Sequence, residues 1–277
     1  MAEQQRAYQI GYQPNQVRHH EWRTAENSAE QLIPVLRERA EKNPKLTLLD
    51  VGSGSGTIAT SLAKYIPEGT VIATDLSDDI MKRAEELARE AGITNVTFEQ
   101  ADAYHLPFPD EFFDVVHTSQ MLIHMDEPQN AIKELVRVAK RGGVVSCREG
   151  DLPLMVYWPE IPAQQRFQRL AVTLHDLTAG KSTCGRRLVG LALKAGVKRD
   201  QIQASWHTWC YSSPEEREII SATFSDRLKA GSWGKGMLEH GLATEVEIQE
   251  MIDAWQEWKE SEDANMAVPS CAILIFK

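Results

Sequence analysis

Short apolar runs alternate with stretches of three- and four-residue apolar spacing through the middle of this chain. A strand covered on both faces is apolar throughout, and a helix lying on a sheet repeats its apolar face every 3.6 residues. The alternation therefore predicts βαβ units around a parallel sheet. Strands are predicted at Leu48–Val51, Val71–Thr74, Val96–Phe98, Phe113–Val116 and Gly143–Ser146, and helices at Asp79–Ala91 and Gln129–Ala139. Together these define an α/β core over residues 47–149.

Upstream, Ala25–Ala40 has helical spacing with a kink expected at Pro34, so residues 1–46 are expected to form a helical lid or cover. After Glu149 the rhythm changes. Pro153, Pro159 and Pro162 interrupt the chain, and helices are expected over Ala163–Thr178 and Pro214–Ala230. Gln201–Tyr211 and Ser270–Phe276 have strand character, so residues 150–277 are expected to supply substrate-side helices plus the strands that complete the sheet. The expected fold is α/β and doubly wound, with a mostly parallel seven-stranded sheet, an N-terminal helical lid and a C-terminal helical insertion.

Composition narrows the function classes. The formal net charge of −10 repels polyphosphate, and no Lys/Arg stripe with interleaved aromatics offsets it, which argues against nucleic-acid partners. No window approaches the roughly 18 to 20 apolar residues of a membrane span, and the polar start MAEQQRAYQIGYQPNQ lacks a signal-peptide pattern. No membrane insertion and a cytoplasmic location are expected. Cys147, Cys184, Cys210 and Cys271 are scattered with no His at ligand spacing, so neither a disulfide framework nor a metal site is expected.

The chemistry begins at Leu48-Leu49-Asp50-Val51-Gly52-Ser53-Gly54-Ser55-Gly56, a glycine-rich turn between the first strand and a helix. Glycines there permit positive φ and close approach of a ligand to the backbone. The spacing G-x-G-x-G departs from the dinucleotide fingerprint G-x-G-x-x-G, since Thr57 stands at the third glycine's place, and no G-K-[ST] follows as a P-loop requires. Asp75, at the tip of the second strand, is placed to accept ribose hydroxyls. Gln100-Ala101-Asp102-Ala103, after the third strand, could read an adenine edge.

With T-D-L-S at residues 74–77, Q-A-D-A at 100–103 and F-F-D-V-V-H-T-S-Q-M-L-I-H-M at 112–125, the series resembles the class I S-adenosylmethionine (SAM)-dependent methyltransferases, in particular the UbiE-like or type 11 group. H-E-W-R-T-A-E-N-S-A and C-G-R-R-L resemble fungal and bacterial small-molecule members. The resemblance implies a Rossmann-like fold with SAM as methyl donor and S-adenosylhomocysteine (SAH) as product. Gly52, Ser53, Gly54 and Gly56 would line the methionine moiety, Asp75 and Leu76 the ribose, Asp102 and Ala103 the adenine, and Ser119 and Gln120 would face the cofactor. Ser53 stands where such enzymes often have Cys, and Ile80 where many have an adenine-packing Met.

Methyl transfer is an in-line displacement, so orientation and desolvation carry most of it, and a base helps when the nucleophile must lose a proton. His117-Thr118-Ser119-Gln120 stands in place of the [DN]-P-P-[YF] of many amino-methylating enzymes. His124 is the candidate base, against a packing role in the next helix. Arg148, His207 and Trp158 are candidate substrate contacts; for Arg148-Glu149 an ion pair at the sheet edge is an equal alternative. Tyr8, Tyr12, Trp22 and Arg23 could fold over SAM, an aromatic face stabilising the sulfonium by roughly 0.5 to 2 kcal/mol.

Trp158, Trp206, Trp209, Trp233, Trp255 and Trp258 all follow Gly150, where such folds build the acceptor pocket, which suits an apolar or aromatic small molecule. Trp255 and Trp258, three residues apart, equally suit a core stripe. A SAM-binding regulator or a catalyst of another reaction shares the same motifs. An NAD-dependent oxidoreductase is a third and more distant reading. No sequence feature specifies an oligomeric state.

Overall fold

A computed structural model describes residues 19–178 and 180–277. One mixed sheet runs through it, with strands β1 (Thr47–Val51), β2 (Thr70–Asp75), β3 (Val96–Gln100), β4 (Phe113–Ser119), β5 (Ala139–Gly150), β6 (Val156–Trp158), β7 (Ile202–Tyr211) and β8 (Asn265–Phe276). Their order is β3-β2-β1-β4-β5-β8-β6, with β7 also paired to β8. The first five pair in parallel, and β8 runs antiparallel to β5, β6 and β7. Strand order reverses between β1 and β4, and a doubly wound sheet opens its ligand crevice at the carboxyl ends beside such a reversal.

The helices are α1 (Ala25–Ser28), α2 (Ile33–Lys42), α3 (Thr57–Ala63), α4 (Asp78–Glu90), α5 (Pro128–Val138), α6 (Pro162–Thr178), α7 (Cys184–Lys194), α8 (Pro214–Lys229), α9 (Ser232–Glu239) and α10 (Glu245–Glu260). Side chains alternate across the sheet with the period of two that a pleat imposes. Leu48, Val115, Val144 and Leu274 face the layer of α2 and α3, while Leu49, Val116, Val145 and Ile273 face that of α5 and α7. A separate cluster, built on Phe167, Phe224, Trp255, Trp258 and Tyr211, binds α6, α8 and α10 to β6, β7 and β8.

Three expectations are corrected. The sheet has eight strands rather than seven: after a turn at Leu152–Leu154 the chain resumes as β6 and shares with β5 the edge of β8 opposite β7. The single kinked helix at Ala25–Ala40 is two helices. Pro34 lies in the first turn of α2, where its missing N–H costs nothing, so it starts a helix instead of bending one. The fifth strand extends to Gly150, which carries Arg148 and Glu149 into the sheet. Among the described residues no helix is long and apolar enough to cross a membrane.

Candidate functional site

The turn after β1 is tied to β2, since the amides of Gly52 and Ser53 both donate to the Thr74 carbonyl, at 2.8 and 2.9 Å. Gly52, Gly54 and Gly56 all have positive φ, at 71°, 54° and 69°. Their surroundings differ. A Cβ on Gly52 would lie 2.7 Å from Met121, and one on Gly56 would lie 2.5 Å from the Phe98 ring and 2.8 Å from Ala84. At Gly54 a Cβ meets nothing within 4 Å, so this is where the loop backbone is open to a ligand. Asp75, ending β2, accepts from the Gly54 amide at 2.9 Å.

Next to it, the Leu76 carbonyl accepts from Gln100 Nε2 at 2.7 Å. Ile80 is buried against Met81 and Phe98 at the start of α4. Asp102 caps the turn after β3: its Oδ1 accepts from the Tyr104 amide at 2.9 Å and its Oδ2 lies 3.4 Å from His105 Nδ1. Ala103 beside it is buried.

Across the crevice, β4 ends at Ser119, and Gln120 after it adopts φ 58°, a left-handed conformation for a residue with a side chain. Its amide donates to the Arg148 carbonyl at 2.9 Å. The next three amides point to one side chain. Glu149 Oε1 accepts from Met121 at 3.1 Å and Leu122 at 2.8 Å, and Oε2 accepts from Ile123 at 3.2 Å. Glu149 is fully buried, and burial pushes its carboxyl up to about 8 against the opposing pull of these amides.

The turn that Glu149 holds carries His124. The His124 ring meets that of His175, on α6, edge to face with centroids 5.4 Å apart. A carbonyl only accepts, so the 3.2 Å contact between His175 Nε2 and the Ile123 oxygen places a proton on that nitrogen. Burial pulls His124 well below the usual imidazole range, with the positive charges of Arg227 and Arg23 adding to the effect, and His175 is lowered as well. Both rings are neutral at pH 7.

The N-terminal segment reaches the same region. His19 Nε2 lies 2.8 Å from the Tyr211 hydroxyl, Trp22 lies 5.0 Å from the Tyr211 ring, and burial with nearby Arg23 and Arg227 pulls His19 and His20 well below their usual range. Arg23 lies 4.8 Å over Trp209. Tyr8 and Tyr12 lie outside the described residues.

Arg148 pairs not with its neighbour Glu149 but with Glu30, which also accepts from His207 Nδ1 at 3.0 Å. Two of the three predicted substrate contacts thus share one carboxylate of the N-terminal cover, and Arg148 lies 4.9 Å over Trp209 from within the sheet. Trp158, on the edge strand β6, is 55% exposed, with Nε1 donating to Asp263 at 2.8 Å. Trp255 and Trp258 are core, at 0% exposure. His175 and the grip of Glu149 escaped the sequence reading. A lone His on an amphipathic helix gives no signal, and Glu149's partners are backbone amides.

The residues present fit SAM. Gly54 leaves the loop backbone open, and the buried Ser53 Oγ, Ser119 Oγ and Gln120 Nε2 have no hydrogen-bond partner among the described residues, so donors and acceptors remain for a polar ligand. Among the described residues no group of three or more His, Cys, Asp or Glu is placed to hold a metal ion.

Residues 49–147 match the methyltransferase domain family. The chain is 35% identical over 250 residues to an uncharacterized methyltransferase of Schizosaccharomyces pombe, covering 87% of this chain and 86% of the relative. It is 30% identical over 286 residues to the probable methyltransferase ltbC of Aspergillus luteorubrus, covering 98% and 97%. The fold is shared with the YcgJ protein of Bacillus subtilis, at TM-score 0.52 and 19% identity over 90% of this chain and 98% of that one. It is also shared with a Haemonchus contortus phosphoethanolamine N-methyltransferase solved with SAH, at TM-score 0.52 and 16% identity over 90% and 54%. The chain belongs to the methyltransferase family and is an enzyme of the SAM-dependent class.

Proposed function

We propose that this methyltransferase acts on a small, apolar or aromatic molecule, which it holds between the turn at Ser119–His124 and the aromatic side chains of the cover and the insertion. One observation carries the reading: His124, a neutral imidazole just beyond β4, has its ring edge-on to His175 of the insertion and lies within the electrostatic reach of His20 and Arg23 from the cover and of Arg227 from α8. The net charge of −10 supports a small molecule over a nucleic acid. Residues 47–149 are the cofactor-binding core, residues 1–46 the lid, and residues 150–277 the acceptor side with the strands that complete the sheet.

SAM supplies a sulfonium methyl group open to displacement. The chain's own residues do the rest. Gly52, Ser53, Gly54 and Gly56 border the methionine end, Asp75 and Leu76 the ribose, and Ile80, Asp102 and Ala103 the adenine, while Ser119 and Gln120 close the site from β4. Arg23 covers it from the N-terminal side. His124 takes the proton of the acceptor, a role its neutral state suits, and His175 holds it edge-on. Arg148 and His207 act through Glu30 by fixing the cover to the sheet.

The test is SAH formation from SAM with a panel of small phenols and thiols, comparing wild type with His124→Gln. Acceptor-dependent SAH that falls by at least about a hundredfold in the variant supports the reading, since a positioned base is worth roughly 10² to 10⁴ in rate. SAH formed only with added protein or RNA would overturn it.

A further inference from the structure

We propose that Glu149 is a positioning residue for methyl transfer: its buried carboxyl grips the successive backbone amides of Met121, Leu122 and Ile123 and so fixes the turn that presents Gln120 to the cofactor and His124 to the acceptor. This rests on reading Ser119–His124 as the place where cofactor and acceptor meet.

The end of β5 holds four consecutive amides. The Arg148 carbonyl takes that of Gln120 at 2.9 Å, and the Glu149 carboxyl takes the next three at 3.1, 2.8 and 3.2 Å. These are the amides that the Leu122–His124 turn, like any helix start, leaves without partners, and an anion is the group that suits them. The left-handed φ of Gln120, at 58°, is a conformation that persists only where the surroundings impose it. The opposite side of the turn is held too. The Ile123 carbonyl accepts from His175 Nε2 at 3.2 Å and from the Lys181 amide at 3.1 Å, and Gly180 packs so closely that a Cβ there would lie 2.1 Å from that oxygen. The turn is clamped between sheet and insertion.

Three donors on one side chain call for an acceptor-only group. A carboxylate offers about four lone-pair sites, whereas an amide turns one of its two ends into a competing donor. The ionisable groups facing Glu149 are Arg23 from the cover, Cys147 on its own strand and Cys184 on α7. Burial lifts the carboxyl to about 8, within reach of ordinary buffers. Above that value no acidic proton competes with the three amides, so the grip tightens as pH rises.

The test reads amide hydrogen exchange over residues 120–124 in the SAH-bound protein, and SAH affinity by calorimetry, at about pH 6.5 and about pH 9. Wild type, Glu149→Gln and Glu149→Asp are compared. Corrected for intrinsic rates, wild-type protection rises with pH. Glu149→Gln loses it by about tenfold or more at the higher pH and binds SAH more weakly, while Glu149→Asp, which keeps the charge, recovers part of both. Wild-type values in Glu149→Gln would overturn the proposal. Should Glu149→Gln fail to fold, the wild-type series decides alone, and protection that stays flat between the two pH values overturns it. Failure to methylate any small molecule would leave these readouts untouched, so the two readings fail separately.

Discussion

Asp75 and Gly54 are joined by a 2.9 Å hydrogen bond from the loop amide to the carboxylate, which ties the tip of β2 to the glycine turn after β1. The same carboxylate is the proposed ribose acceptor. Charge-assisted hydrogen bonds contribute roughly 1.5 to 3 kcal/mol each, so Asp75→Ala weakens SAH binding by at least about tenfold. Calorimetry checks this, and an unchanged affinity would remove Asp75 from the ribose site.

The glycines separate by what surrounds them. Gly54→Ala meets open space and carries only the left-handed strain of roughly 1 to 2 kcal/mol, yet it places a methyl group where the cofactor approaches. SAH affinity therefore falls more than stability does. Gly56→Ala adds to that strain a Cβ 2.5 Å from Phe98, so its melting temperature falls further than that of Gly54→Ala. Thermal melts and calorimetry on both variants give the comparison; equal losses of stability would contradict it.

These contrasts show how far the residues alone could be read. The glycine spacing, Asp75 at a strand tip and Ser119-Gln120 after the fourth strand follow local rules of strand, turn and helix, and the β1–β5 alternation was plain because buried parallel strands are apolar throughout. The partners of Arg148 and Glu149 were not legible. Adjacent in sequence, they suggested an ion pair; on a strand, neighbours point to opposite faces, and each finds its partners elsewhere, Arg148 at Glu30 and Glu149 at the backbone of residues 121–123. The setting of Trp158 was not legible either: its three-residue strand β6 pairs with β8, an association of segments far apart in the chain.

His124 is pulled well below the usual imidazole range, so it is neutral and able to accept a proton throughout pH 7 to 9. Turnover with an acceptor that must lose a proton keeps its His124-dependent rate from pH 9 down to about 6.5 and falls only in more acidic buffer. In His124→Gln that acidic limb disappears along with most of kcat, while SAH affinity stays at the wild-type value. A limb centred at or above pH 6.5 and retained in the variant would exclude His124 as the base.

Stability depends on pH through the same groups. His19, His20, His124 and His175 are all lowered, so below the ordinary imidazole value near 6.5 the unfolded chain takes up protons that the native one refuses. Their contribution is present above about 6.5 and lost as pH falls, at up to about 1.4 kcal/mol per pH unit for each proton. Glu149 has the opposite sign. Raised to about 8, it stabilises fully below its ordinary value of 4.5, and that contribution is lost as pH rises to about 8. Glu149→Gln removes this counterweight, so between pH 6.5 and 5 its melting temperature drops more steeply than that of wild type. Parallel curves would contradict this.

Transfer of labelled methyl from SAM into a cell extract, separated into small-molecule, protein and nucleic-acid fractions and run beside boiled enzyme, addresses the proposed function most directly. The predicted result is label in a small apolar or aromatic product, identified by mass spectrometry and absent from the boiled control. Label confined to protein or nucleic acid, from enzyme shown by calorimetry to bind SAM, would contradict it.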